Sequence, residues 1–101
     1  MNSEIAKKWR EAIERAFQIL GIEQGGAIER LESAGVNIRW FKQFMNGTTD
    51  EITRPDMKNI VLALSPNLNA RGLSYMRERL EYFDDEEQLL SLLMMCKPPD
   101  Y

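Results

Sequence analysis

The apolar residues of this chain return every third or fourth position, and over no useful length every second. In "EIAKKWREAIERAFQIL" (4–20) they fall at 5, 9, 13, 16, 17 and 20, one stripe along a helix of 3.6-residue period. Period-2 alternation marks a half-buried strand, and its lack leaves no basis for a sheet. The 101 residues are enough for one domain and too few for two. The expectation is therefore an all-α fold, a single compact domain of five to six helices spanning 1–101.

The breaks between stripes give the organisation. Ser3 can cap the first helix, and Gly21 sits where a C′ glycine belongs. Gly25-Gly26 reads as a breaker, followed by a short helix over 27–34 with Ile28 and Leu31 inward and Gly35 at its end. Asn37 is a good N-cap for a helix over 38–46 whose inward arc is Ile38, Phe41, Phe44 and Met45. "NGTTDEITRP" (46–55) is rich in turn formers. Asp56 is the predicted cap of a helix over 57–64, with Met57, Ile60, Val61 and Leu64 on one face. "SPNLNARG" (65–72) breaks it. A fifth helix is predicted over about 70–83, carrying Leu73, Met76, Leu80 and Phe83 on one side. Asp84 and Glu87 have the spacing of a capping box for a last helix at about 85–96.

The helix over 38–46 carries the chemistry. At 100° per residue, Arg39, Lys42, Gln43 and Asn46 share an arc of about 100°, and the apolar residues fill the other side. This front holds donors and amides and no carboxylate, in a chain of net charge −3. Arg and Lys match the acceptors of guanine in the major groove, and Gln and Asn match adenine bidentately. The plainer alternative is an ordinary solvated front that lacks acids by chance. Charge is unevenly spread: residues 37–80 hold seven basic and four acidic side chains, net +3, and residues 81–101 hold one basic and six acidic, net −5. The net charge by itself argues against nucleic acid, and a basic middle followed by an acidic tail is the asymmetry to interpret.

The surrounding residues resemble the phage-repressor (Cro/repressor, XRE-type) helix-turn-helix family. The resemblance rests on Gly35, Val36, Asn37, Ile38-Arg39, Phe41, Phe44 and Gly47, then Pro55 and "DMKNIVLAL" (56–64), and it covers about 20–65. It implies a central helix-turn-helix that reads double-stranded DNA, and a regulator of phage or mobile-element type. Base contacts would come from Arg39, Lys42, Gln43 and Asn46, assisted by Asn37 and Ile38. Thr48, Thr49, Arg54 and Lys58 correspond to the family's backbone-contacting region; an ordinary solvated loop is the other reading of them, and Asp50, Glu51 and Asp56 lie in the same stretch. The chain departs from the family pattern at Gly26-Ala27, where Thr-Gln or Ser-Gln is usual, and at Leu31 and Trp40, where small residues are usual. Trp40 can pack on the preceding helix, touch sugar or meet a partner. Ile38 can meet a thymine methyl or belong to the core.

In "DDEEQLLSLLMMC" (84–96) an acidic first turn suits the helix dipole, and apolar residues then run almost all round. Such a helix is either central to the core or an interface, with Leu89, Leu92, Leu93 and Cys96 as a stripe for a homodimer or a protein partner. The C-terminal helices over 70–96 are thus assigned to core or dimerisation. Catalysis is not expected: there is no His, no phosphate-cradling glycine loop and no G-x-S-x-G. No cofactor or metal is called for, because the single Cys96 has neither a His nor a second Cys to work with. No apolar run reaches the roughly 18 residues of a membrane span, and the charged N-terminus lacks the apolar stretch of a secretory signal. A cytoplasmic location is the expectation. The competing function is a protein-interaction module, inhibitor or adaptor that keeps the fold and binds a partner through Trp40 or the 89–96 helix.

Overall fold

Helix α1, Ser3–Leu20, buries Ala6, Trp9, Ala12, Ile13 and Ala16, and Ile5, Phe17 and Leu20 pack half-buried along the margins. The stripe read at 3.6-residue spacing is the one that faces inward. The helix ends at Gly21, whose φ of +62° is the left-handed conformation that a side chain would resist. A computed structural model describes residues 3–21, 24–64, 77–82 and 85–94, apart from the side chains at 24 and 25.

Helix α2, Gln24–Ser33, begins three residues earlier than predicted and takes Gly25-Gly26 into its first turn. The first-turn N–H groups of a helix have no intrahelical partner, so glycine weakens little there. Ala27 and Leu31, both fully buried, anchor the rest of the helix to the core. The helix closes in a Schellman motif: Val36 N–H donates to Leu31 O at 2.9 Å and Gly35 N–H to Glu32 O at 3.0 Å. Gly35 is left-handed, with φ +95°. Two residues later, Asn37 caps α3, Ile38–Met45, its side chain accepting from the Trp40 N–H at 3.1 Å. Helix α3 ends in the same way as α2, with Thr48 N–H donating to Gln43 O at 2.9 Å, Gly47 N–H to Phe44 O at 3.2 Å, and Gly47 at φ +85°.

Helix α4, Arg54–Ala63, corrects a predicted cap. Thr53, not Asp56, is the N-cap: Thr53 accepts from the Asp56 N–H, and the Asp56 carboxylate accepts from the Thr53 N–H at 3.1 Å. This reciprocal capping box uses the acid as its third residue, and Pro55 in the first turn gives up only an N–H that a helix leaves unbonded. Met57, Ile60, Val61, Leu62, Ala63 and Leu64 are all buried, which makes α4 the most enclosed helix described. It packs on α2 and on the last helix of the chain.

The described part of α5 is residues 77–80, with Leu80 buried; Leu73, Met76 and Phe83 lie outside the described residues. Helix α6, Glu86–Met94, starts with Asp85 accepting the Glu87 N–H at 2.9 Å; the predicted cap Asp84 lies outside the described residues. Leu89 and Leu93 are buried against α1 and α4. Arg15 of α1 donates to the Met94 carbonyl at 3.0 Å and so satisfies an end of α6. The fold is all-α, with no strand among the described residues. A radius of gyration of 12.7 Å is that of one compact domain of this length. Helix α3 lies on α1 and α2 at the edge of the core, leaving one long face uncovered. No described helix is long and apolar enough to cross a membrane.

Candidate nucleic-acid interface

Two buried rings set the attitude of α3. Phe41 and Phe44 are 2% and 0% exposed, so the opposite side of this eight-residue helix must face out. Arg39, Lys42, Gln43 and Asn46 are all exposed on that side. Arg39, Lys42 and Gln43 make no side-chain hydrogen bond or ion pair among the described residues, so their polar groups remain available. The predicted front is thus a physical surface of one helix.

The assisting positions are more constrained. Asn37 is exposed, but its Oδ1 serves the cap, which leaves its NH₂ to face solvent. Ile38 is half-buried and packs against the core, so only its outer edge is open to a methyl group. Asn46 Oδ1 accepts both the Thr48 N–H, at 2.9 Å, and the Thr48 hydroxyl. Both donors of Thr48 are therefore engaged inside the turn. Thr49 differs: its Oγ1 accepts from Glu51 N–H at 3.2 Å, and its own proton is still free to donate.

Trp40 packs on the loop beyond α3 and against the core. Its Nε1–H donates to Glu51 O at 2.8 Å, and its ring stacks on Phe44 with centroids 5.1 Å apart and planes 25° from parallel. The indole's only donor is spent on this contact. A large aromatic thus ties the loop to α3.

Arg10 is the functional residue that the sequence did not disclose. It projects from α1 under the C-terminus of α3, where its Nε donates to Phe44 O at 2.6 Å. Its terminal nitrogen donates to Thr49 O at 2.7 Å and to the Asp50 carboxylate at 2.6 Å. The guanidinium carbon lies 4.7 Å from the centre of the Phe44 ring, within cation–π range. One cation thus satisfies a C-terminal carbonyl of α3, fixes the loop and offsets an acid that would repel phosphate. Asp56 is likewise occupied by the capping box. Of the three loop acids, Glu51 alone keeps a carboxylate with no bonding partner among the described residues. The only hint in the sequence is the position of Arg10, flanking the apolar stripe of α1.

The remaining cations divide. Lys58 is half-buried on α4. Arg54 is exposed and, with Lys8, lines a cleft of about 440 Å³ that also carries Asp85, Glu86 and Glu87. A second groove, of about 480 Å³, runs between α1 and α3, floored by Phe17, Phe41 and Met45 and edged by Glu14, Lys42 and Asn46. Glu14 is the acid that the fold brings to the margin of the α3 front. At the other end of the chain, Leu89 and Leu93 belong to the core and not to an interface, whereas Leu92 is half-buried; Cys96 lies outside the described residues. No group of His, Cys, Asp or Glu arranged to hold a metal occurs among the described residues.

No family model, curated protein or solved structure matches the chain.

Proposed function

We propose that the protein binds double-stranded DNA sequence-specifically through the front of α3, as a transcriptional regulator. The observation that carries this reading is an exposed, carboxylate-free face of Arg39, Lys42, Gln43 and Asn46 on a helix seated by two buried phenylalanines. A helix of this width enters the major groove, where those side chains meet base edges. The loop acids are the obvious objection, and two of the three are already engaged, Asp50 by Arg10 and Asp56 by Thr53. Thr49 and Lys58 are the candidate contacts to the phosphate backbone. The test separates reading from anchoring on a panel of duplexes altered one base pair at a time. Gln43→Ala relaxes the preference at one position, by about 1–3 kcal/mol for a bidentate contact. Lys58→Ala weakens every duplex about equally. Identical profiles for the two variants contradict the assignment.

A second reading is favoured by one feature. Met94 is 53% exposed beside half-buried Leu90 and Leu92, an apolar edge of α6 that a protein partner or a second copy of the chain can cover.

A further inference from the structure

The amide oxygens of the α3 face are not equally free, and this limits which bases the face can read. A bidentate contact to adenine needs an oxygen that accepts from N6 and an NH₂ that donates to N7. Asn46 cannot supply that pair, because Oδ1 already accepts the N–H and the hydroxyl of Thr48, which uses both lone pairs. Asn37 Oδ1 is turned back to the Trp40 N–H at 3.1 Å. Neither amide can be flipped, since each oxygen faces a backbone donor. What both asparagines present outward is NH₂ alone. Arg39 and Lys42 are donors by nature. Gln43 is then the one residue of the face with an acceptor to offer.

We infer that the duplex site this face recognises is read mainly at guanines, with at most one adenine contacted bidentately, at Gln43. Guanine alone places two acceptors, O6 and N7, side by side in the major groove; adenine pairs an acceptor with a donor, and cytosine shows a donor only. A donor-only set therefore finds two acceptors at guanine, one at adenine N7 or thymine O4, and none at cytosine. The inference rests on the proposed DNA binding and adds the chemistry of the site.

Select duplexes from a random pool with the full chain, then replace single guanines by 7-deazaguanine and single adenines by purine, which lacks the N6 amino group, measuring affinity at fixed salt. Loss of N7 from guanine is expected to weaken binding about fivefold or more at two or more positions, the scale of one base contact. Sensitivity to loss of the adenine N6 amino group is expected at one position at most, since only Gln43 offers it an acceptor, and Gln43→Ala abolishes it. Asn46→Asp keeps the oxygen that Thr48 needs and exchanges the outward donor for an acceptor, so preference at one position moves from guanine to cytosine. Two or more sensitive adenines overturn the inference while leaving DNA binding intact, as does equal affinity for all sequences. No duplex binding by the wild type removes the inference together with the reading it rests on.

Discussion

Arg10 bonds to three residues that lie 34 to 40 positions further along the chain. A charge-assisted hydrogen bond contributes about 1.5–3 kcal/mol, and contributions within one network do not add. Arg10→Ala is expected to lower stability in urea by about 2 kcal/mol and to weaken DNA binding further by baring Asp50. Adding Asp50→Asn restores part of the binding without restoring the stability, and equal behaviour of the single and double variants on DNA contradicts the charge argument. Gly35 gives a local counterpart. A Cβ there would meet Asn59 Nδ2 at 3.6 Å, ordinary contact, so the cost of Gly35→Ala comes only from its φ of +95°. The expected loss is about 1–2 kcal/mol, seen as a lower urea midpoint at unchanged slope. Gly35, Asn37 and Gly47 were legible because each acts within a few residues of itself. The partners of Arg10 and the commitment of the Asn46 oxygen to Thr48 were not, since composition and period carry no record of where a side chain's hydrogen bonds end.

Helix cores were readable, and helix ends only in part. All of Met57, Ile60, Val61 and Leu64 are buried as their spacing predicts, yet α4 starts at Arg54, because a Thr-x-x-Asp box can cap from either member's position and only geometry selects Thr53. The glycines of α2 misled for a related reason: a breaker in mid-helix is tolerated in a first turn. Thr53→Ala tests the correction, with an expected loss of about 1 kcal/mol in urea unfolding; no change in stability points back to Asp56 as the cap. For α6, nearly continuous apolarity could not separate core from interface. Burial does so residue by residue, with Leu89 at 0% and Met94 at 53% exposure. Leu89→Ala is expected to cost about 2–5 kcal/mol as a core cavity. Met94→Ser leaves stability nearly unchanged, and light scattering across concentration then reports whether the exposed edge pairs: a wild-type dimer that becomes a folded monomer assigns the edge to self-association, and a wild type already monomeric at high micromolar concentration leaves it to another protein.

At the scale of the molecule, the basic middle and the acidic end of the chain sit on different helices around one core. Residues 37–80 carry net +3 within a total of −3, so any attraction to DNA depends on presenting α3 and holding the acids of α6 away. The clefts mix the two signs, with Glu14 and Lys42 edging one and Lys8 and Arg54 sharing the other with Asp85, Glu86 and Glu87. The all-α class was legible from periodicity alone, whereas the central place of α4 emerged only from packing. The most direct measurement is the fluorescence anisotropy of labelled duplex DNA titrated with the full chain at low and at high salt. Binding that is strong at low salt and falls steeply as salt rises is predicted, because Arg and Lys contacts release counterions, and Arg39→Ala/Lys42→Ala removes it while the chain stays folded. No change in anisotropy at micromolar protein in low salt contradicts the account and leaves the exposed edge of α6 as the surface to pursue.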